Sequence, residues 1–242
     1  MNLFISNKTK KYLFLATVTM LLPFTGFALL QARELIDTMP EYKSETIKLP
    51  KPKYNSDTSI EEALFKRRSV RSYKDSTLTL AEISQLLWAA QGITSSGGLR
   101  TAPSAGALYP LEVYIVAGNV DGLPNGVYHY RSHTHELAIT VKGDKRNELC
   151  KAALGQTSVR NAAAVIVFSA VYERTSKKYG DRGIQYVHME IGHAAQNVFL
   201  QAVPLELGTV VIGAFYDDAV KKALKMLDSE QPLYIMPVGR IK

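Results

Sequence analysis

The spacing of hydrophobic residues predicts two long helices. Residues 83–90 carry apolar side chains at intervals of three and four, which is the period of one helix face. Thr79 in front of this stretch is a suitable N-cap, and Gly92 behind it is a suitable stop. The same period extends over residues 182–203, where the next residue, Pro204, cannot continue a helix.

Other apolar runs predict β-strands. Residues 111–118 form one run, and two further runs near 127–130 and 136–141 indicate a hairpin. The almost wholly apolar segment 161–172 is typical of a strand that is buried on both faces. Residues 233–242 predict a terminal strand. Helices bracket these strands without a regular strand–helix alternation, which predicts an α+β fold.

The N-terminal part of the chain is predicted to lie outside the folded domain. Three lysines precede an apolar run over residues 12–30, which is typical of a secretory signal peptide and is also long enough for an uncleaved membrane anchor. We assign residues 1–32 to such a signal peptide or anchor, residues 33–57 to a polar linker or arm, and residues 58–242 to one folded domain. Both forms of the N-terminal segment predict an exported protein, either periplasmic or held outside the cytoplasm by its membrane anchor.

Composition narrows the classes of function. Hydrophobic residues make up 46% of the 242 residues, which is enough for a substantial core. The formal charge is +7, but three of these charges belong to the N-terminal lysines, and the chain has no zinc-finger pattern, aromatic RNA-binding motif or long basic run. Nucleic-acid binding is therefore not expected. The single cysteine, Cys150, excludes an internal disulfide and a Cys-x-x-Cys metal site.

The stretch KRRSVRSY, residues 66–73, has two interpretations. Its arginines could be the solvated end of a short helix, which is the simpler interpretation of the stretch taken alone. Alternatively, they could hold a phosphate group, because guanidinium groups bind phosphate oxygens bidentately and a serine hydroxyl can add a hydrogen bond. The chain contains neither a P-loop nor a GxGxxG fingerprint, so a phosphate would have to be held by side chains.

Three further segments would suit a planar ligand that carries a phosphate. The small residues of TAPSAGALYP, residues 101–110, allow a ligand to approach the backbone closely. The turn IGAF, residues 212–215, follows an apolar stretch and can present backbone N–H groups. Arg240 adds a cation near the C-terminus.

In this order, the segments resemble the nitroreductase superfamily, and within it the SagB/ThcOx-type FMN-dependent dehydrogenases. The resemblance covers residues 59–240 and depends on the segments RRSVRSY, APSAGALYPLEVYIV, KYGDRG, MEIGHAAQNVFLQA, LGTVVIGAF and MPVGR. It implies an α+β sandwich with a mostly antiparallel sheet flanked by helices. It also implies a homodimer that binds FMN at the subunit interface and acts on a small-molecule substrate.

The resemblance also implies which residues contact the flavin. The family's phosphate and flavin-edge segment corresponds to Arg67, Arg68, Ser69 and Arg71. The segment that arrives from the partner subunit corresponds to Pro103, Ser104, Ala105 and Gly106. The strand end whose backbone N–H faces flavin N5 corresponds to Ile212, Gly213 and Ala214. A basic position near the phosphate corresponds to Arg240, and the catalytic pair of the azoline dehydrogenases is similar to Lys178 and Tyr179.

These correspondences lead us to expect an oxidoreductase that transfers a hydride or two electrons between FMN and a small organic molecule. The pair Lys178–Tyr179 favours oxidation of an azoline-like ring or another C–N bond. Two alternatives are an NAD(P)H- or quinone-linked nitroreductase or quinone reductase, and a flavin-binding module without turnover. The predicted export favours an electron partner other than soluble nicotinamide, such as a membrane quinone.

Several polar residues outside these segments are expected to have structural roles. Three histidines lie close together in the hairpin, but the segment between them is typical of its turn, so that no metal site is expected at His129, His133 and His135. Glu190 on the second long helix is expected to pair with Arg182 or with an arginine of residues 66–73. The segment VPLELG, residues 203–208, departs from the family's usual apolar and small residues, which leaves the backbone geometry behind this helix open.

Overall fold

The computed structural model of the chain describes residues 45–242, and the strands and helices below belong to this part. The predicted signal peptide or anchor, residues 1–32, and the first part of the predicted arm lie outside the described residues. Between residues 45 and 242, no helix combines the length and the hydropathy needed to cross a bilayer. The nature of the N-terminal segment stays a prediction.

Most of the strands form one antiparallel sheet. The strands are β1 (Thr46–Lys48), β2 (Leu78–Thr79), β3 (Leu111–Ala117), β4 (Val120–Asp121), β5 (Gly126–Arg131), β6 (Glu136–Lys142), β7 (Ala164–Ala170), β8 (Leu207–Thr209) and β9 (Gln231–Arg240). The order in the sheet is β1-β6-β5-β3-β7-β9-β8, and every neighbouring pair is antiparallel. The short strands β2 and β4 pair in parallel with each other. The predicted α+β fold with a mostly antiparallel sheet is confirmed.

The two long helices occur where the sequence predicts them. The helices are α1 (Ile60–Lys66), α2 (Leu80–Gln91), α3 (Arg146–Ala152), α4 (Thr157–Asn161), α5 (Glu173–Tyr179), α6 (Arg182–Ala202) and α7 (Asp217–Leu224), and a 3₁₀ turn lies at Ala105–Ala107. Thr79 caps α2 and Gly92 ends it, as predicted. The sequence did not predict α4 and α5.

The central strand β7 shows how the layers pack. All seven of its residues are buried. Ile166 and Phe168 belong to the core on the side of α2 and α6, whereas Val165 and Val167 belong to the core on the side of α3 and α7. Because successive side chains of a strand point to opposite faces, helices must cover both faces of the sheet. The prediction of a strand buried on both faces is therefore confirmed.

Part of the predicted arm joins the sheet. Residues 46–48 form β1, which pairs with β6 at the edge of the sheet. Farther along, the backbone N–H of Lys53 donates to the side chain of Gln85 on α2, which in turn donates to the carbonyl of Lys53. The last part of residues 33–57 is therefore an arm that is fixed to the domain.

Candidate active site

The segment around Val70 is held in an extended conformation against β8. The N–H of Val70 donates to the carbonyl of Thr209 over 2.9 Å, and the hydroxyl of Tyr73 donates to the carbonyl of Val70 over 2.8 Å. A Cβ atom on Gly208 would lie only 2.7 Å from Cβ of Val70. Glycine is needed here because any larger residue would push the segment away from β8.

We expect Gly208→Ala to destabilise the fold. The added methyl group meets the branched carbon of Val70, which cannot swing aside, so the free energy of unfolding should fall by about 1–3 kcal/mol. Urea denaturation of the full chain measures this change. Gly97→Ala is the control, because its new Cβ would have no neighbour nearer than 3.8 Å. Equal stability of the two variants would contradict the close contact between β8 and Val70.

A cleft of about 790 Å³ opens beside this segment. The cations that line it are Lys66, Arg67, Arg68, Lys74, Arg240 and Lys242. Glu206 is the single acidic side chain among the described residues of the lining. Such an excess of cations suits a ligand that carries a phosphate.

The cations of the cleft are not equally available to a ligand. Within the described part of the chain, Arg240 pairs with Glu82 over 2.7 Å, and Lys66 pairs with Glu62. The guanidinium of Arg240 also donates to the carbonyl of Leu205. The predicted phosphate role of Arg240 is therefore weakened, since its charge is already balanced by a carboxylate.

Arg67 and Arg68 keep an unbalanced charge. The guanidinium of Arg67 lies 5.2 Å from the ring centre of Phe199 on α6, and one nitrogen of Arg68 donates to the carbonyls of Arg67 and Phe65. No carboxylate of the described residues forms an ion pair with either arginine. These contacts hold the two side chains at the cleft and leave their charge for an anion.

Ser69 and Arg71 lie outside the cleft. Both are exposed. The structure therefore places Arg67 and Arg68 in the lining of the cleft, whereas Ser69 and Arg71 are not part of that lining.

Two further features of the lining bear on a ligand. Thr209 lines the cleft, and its hydroxyl is buried behind that lining without a hydrogen-bond partner among the described residues. Glu206 follows the end of α6 with φ of +56°, a conformation that is uncommon for a residue other than glycine. Residues 203–208, which differ from the apolar and small residues usual in the family, thus place a carboxylate at the rim of the cleft. The unpartnered hydroxyl and the cations fit a phosphate group.

The segment after β8 offers two backbone donors rather than three. The N–H of Ile212 donates to the carbonyl of Ile235 over 2.9 Å, so it is not available to a flavin. Gly213 and Ala214 are exposed, and the side chain of Gln156 binds the carbonyl of Ala214. The N–H groups of Gly213 and Ala214 therefore remain as the candidates for the predicted contact to flavin N5.

The predicted catalytic pair lies against the loop that is predicted to serve the partner subunit. A Cβ atom on Gly106 would lie 2.7 Å from the hydroxyl of Tyr179 and 3.0 Å from Nζ of Lys178. Lys178 and Tyr179 occupy the last turn of α5, and the ring of Tyr179 packs edge to face on Tyr186 of α6 at 5.2 Å. A residue larger than glycine at position 106 would fill the space beside both polar groups.

Side-chain contacts hold the loop over residues 98–110 against the rest of the domain. The guanidinium of Arg100 lies 4.5 Å from the ring centre of Tyr109 and donates to the side chain of Gln91. Arg174 on α5 donates to the carbonyl of Tyr109 over 3.2 Å. Positive φ angles occur at Gly106, Ala107 and Tyr109. A loop with this much backbone strain persists only when surrounding contacts hold it.

The cleft and the predicted catalytic pair lie near opposite ends of α6. Arg67 packs on Phe199, whereas Tyr179 packs on Tyr186. At a rise of about 1.5 Å per residue, these two α6 positions are roughly 20 Å apart. This separation is consistent with the prediction that the segment Pro103–Gly106 reaches the cleft of the partner subunit rather than the cleft of its own protomer.

Two of the three hairpin histidines take part in separate hydrogen bonds. His129 binds the carboxylate of Glu112 over 2.7 Å, and His135 binds the hydroxyls of Tyr130 and Ser84. Residues 45–242 contain no group of three or more His, Cys, Asp or Glu side chains that could hold a metal ion. These histidines connect the hairpin to its neighbours.

Comparison with known proteins agrees with the fold. A nitroreductase-like protein of Methanocaldococcus jannaschii is 49% identical over 76% of this chain and 92% of its own length. The microcin B17-processing protein McbC of Escherichia coli is 30% identical over 62% of this chain, which spans only 57% of McbC. A solved nitroreductase-like structure from Ralstonia eutropha superposes with a TM-score of 0.72 at 29% identity, covering 83% of this chain and 91% of that one.

The family assignment follows from the sequence match and the fold together. Residues 64–240 match the family described as the nitroreductase family. This range contains the segment at the cleft, the loop over residues 98–110, the helix with Lys178 and Tyr179, and the turn at Gly213. The chain belongs to the nitroreductase family of oxidoreductases.

Proposed function

We propose that this chain is an FMN-dependent oxidoreductase that oxidises an azoline-like ring or another C–N bond in a small organic substrate. The observation that carries the proposal is the cleft in which Arg67 and Arg68 lack a carboxylate partner among the described residues. The family consists of flavin-binding oxidoreductases, and a mononucleotide presents the doubly charged phosphate that such a cleft suits.

In this proposal the residues of the cleft hold the phosphate end of FMN. Arg67 and Arg68 bind the phosphate oxygens, and the hydroxyl of Thr209 gains the hydrogen-bond partner that it otherwise lacks. Lys74 and Lys242 add charge at the rim. Holding the phosphate by side chains accounts for the absence of a glycine-rich phosphate loop from the sequence.

The backbone after β8 and the opening segment position the ring. The N–H groups of Gly213 and Ala214 would orient the ring at N5. Arg71 is exposed and does not line the cleft, so in this proposal it would meet the N1/O2 edge of a ring that extends beyond the cleft. The bound flavin supplies the two-electron chemistry, and the protein supplies binding, orientation and charge. A cation at the N1/O2 edge favours uptake of a hydride because negative charge develops there.

Lys178 and Tyr179 are proposed to act on the substrate. Oxidation of a C–N bond requires removal of a proton as the hydride leaves, and a lysine or tyrosine side chain beside the substrate can accept or deliver that proton. McbC is named for processing microcin B17, which supports action on an organic substrate. The homodimer would bring this pair of one protomer to the cleft of the other.

A second candidate is a reductase that draws electrons from NAD(P)H or a quinol and passes them to a nitroaromatic compound or quinone. The name of the Methanocaldococcus jannaschii relative favours this direction. The cleft and the backbone donors suit both directions equally, whereas Lys178 and Tyr179 favour the first. A flavin-binding module without turnover would use the cleft alone.

The proposed export of the protein affects the choice of electron partner. Soluble nicotinamide nucleotides are scarce outside the cytoplasm, so an exported enzyme would pass its electrons to a membrane quinone or a similar acceptor. Localisation is tested by fractionating cells that produce the full chain. Recovery of the whole chain from the cytoplasm would contradict the export and restore nicotinamide as the preferred partner.

An absorption spectrum and an anaerobic titration test the function. Full-length protein supplied with FMN should be yellow and run as a dimer, and an oxidisable thiazoline or oxazoline compound should bleach it. Bleaching by NADH alone would favour the reductase. Stable colour with every donor would favour the module without turnover, and a colourless monomer would contradict the proposal as a whole.

A further inference from the structure

Glu190 is a buried carboxyl group that the proposed chemistry does not use. It lies on the inward face of α6, next to the core residues Val187, Ile191 and Ala194, and is only 3% exposed. Its Oε1 atom is buried and has no hydrogen-bond partner among the described residues. A buried carboxyl oxygen without a partner costs free energy, so a group of this kind is retained only where something offsets that cost.

The groups that face Glu190 come from the loop over residues 98–110. They are the hydroxyl of Ser104 and the guanidinium of Arg100, and the predicted pairing with Arg182 or the opening arginines is wrong. The oxygen of Ser104 accepts the N–H of Tyr109 over 2.9 Å, so its hydrogen is free to be donated to Glu190. The carboxyl group therefore lies directly beneath the segment predicted to contact the partner's flavin.

Arg100 also has an unused hydrogen-bonding group. Its Nε atom is buried and, like Oε1 of Glu190, has no partner in the described part of the chain. One of its other nitrogens is fixed by Gln91, and its plane rests on the ring of Tyr109. The loop over residues 98–110 thus contributes a buried cationic donor, and α6 contributes a buried carboxyl oxygen, and the two are not bonded to each other.

We propose that Glu190 is a positioning residue, and that its carboxylate and the Nε–H of Arg100 form an ion pair that fixes the loop over residues 98–110 and opens when Glu190 takes up a proton. The importance of this loop for the flavin rests on the function proposed above. The ion pair itself depends only on contacts within one protomer.

The surroundings of Glu190 leave Arg100 as its natural partner. Glu112 on β3 is the other carboxylate that interacts with Arg100, but its two oxygens are taken by Arg174 on α5 and by His129 on β5. The residue of α2 that contacts Arg100 is the uncharged Gln91. Closing the ion pair would therefore satisfy both unpartnered atoms without removing a partner from another charge.

The direction of the pH effect follows from the protonation of Glu190. Burial raises the pKa of Glu190 to about 7, against the opposing effects of the Ser104 hydroxyl and the Arg100 guanidinium. Below that pH the carboxyl group is neutral and the pair is open. Above it the carboxylate forms and the pair closes, so that the loop becomes more firmly held as the pH rises through about 7.

Hydrogen exchange of the loop amides tests this inference without any flavin. After correction for the intrinsic pH dependence of exchange, protection of the Thr101, Ala107 and Tyr109 amides in the full chain should increase about tenfold from pH 6 to pH 8, as expected for one added charge-assisted hydrogen bond. In Glu190→Gln, which cannot ionise, protection should not change with pH. Arg100→Lys, which lacks the Nε–H, should lose the increase as well.

A control and a second measurement separate this inference from the proposed function. Glu173→Gln removes an exposed carboxylate of the neighbouring α5 and should behave as the wild type. FMN titration by fluorescence should show tighter binding at pH 8 than at pH 6 in the wild type, and the difference should be smaller in Glu190→Gln, where only the second ionisation of the FMN phosphate contributes to it. Protein that binds FMN at neither pH would contradict the proposed function alone. A flat exchange profile in the wild type, or an unchanged increase in Glu190→Gln or Arg100→Lys, would overturn the ion pair.

Discussion

Replacing Arg67 and Arg68 together by alanine is expected to weaken FMN binding by about 10²- to 10⁴-fold, because each arginine contributes charge-assisted hydrogen bonds to the phosphate. The fold should be retained. Arg67 is only half-buried and Arg68 is exposed, and the two side chains contact an aromatic ring and backbone carbonyls. Dissociation constants are measured by fluorescence titration of the full-length proteins with FMN.

The control for this experiment changes the net charge equally but at a distance. Lys151 on α3 and Arg160 on α4 are exposed and belong to the helices on the opposite face of the sheet from α6. The double variant Lys151→Ala/Arg160→Ala should bind FMN like the wild type apart from a small long-range effect. If the two double variants bind FMN equally well, the phosphate lies elsewhere and the cleft is not the cofactor site.

The salt dependence of binding distinguishes the phosphate contacts from general attraction. Wild-type affinity should fall with ionic strength because the cleft carries several exposed cations, and the slope should be shallower after two of them are removed. Riboflavin, which lacks the phosphate, should bind the wild type and the Arg67→Ala/Arg68→Ala variant with similar affinity. A loss of riboflavin binding in this variant would show instead that the arginines support the ring or the fold.

The regular elements were predictable because their hydrophobic periods are long. The helix after Thr79, the helix over residues 182–203 and the buried strand within residues 161–172 each bury a continuous apolar pattern, and the structure has them close to the predicted bounds. In contrast, α5 has seven residues, of which only Thr175 is buried, so that it carries no apolar period. The helix that carries Lys178 could therefore not be predicted from the hydrophobic pattern of the sequence.

The composition of the cleft could not be predicted from the sequence. Lys66 belongs to the stretch that was singled out and Lys74 follows it directly. Lys242 and Thr209, in contrast, are distant in sequence and join the cleft only through the pairing of β8 with β9. The pairing of Arg240 with Glu82 likewise depends on the tertiary structure. Residue type can indicate that a phosphate site exists, but the fold decides which cations remain unpaired.

The partner of a hydrogen-bonding or charged group likewise depends on the tertiary structure. Ile212 was a candidate donor until strand pairing showed that its N–H is used by Ile235. Glu190 was expected to pair with an arginine of residues 66–73 or with Arg182, which precedes it by two helical turns on the exposed start of α6. Instead it faces the loop from the other side, because its position on α6 points towards the core.

Lys178→Ala is expected to lower the rate of substrate oxidation by about 10²- to 10⁴-fold while FMN stays bound, since loss of a positioned proton-transfer group has an effect of this size. Lys178 lies near the opposite end of α6 from Arg67, so its removal leaves the phosphate contacts of its own protomer intact. The rate of anaerobic bleaching by a thiazoline or oxazoline compound measures the effect, and the flavin content is read from the same spectrum.

Two further variants make this result specific to the position of the lysine. Lys177→Ala removes the neighbouring exposed cation, which points in a different direction on α5, and should leave the rate within about twofold of the wild type. Tyr179→Phe should be slower than the wild type if the hydroxyl shares the proton transfer, and its pH–rate profile should lose one ionisation. Unchanged bleaching by Lys178→Ala would remove the lysine from the reaction, and because the cleft suits both directions of electron flow, the reductase would then become the better proposal.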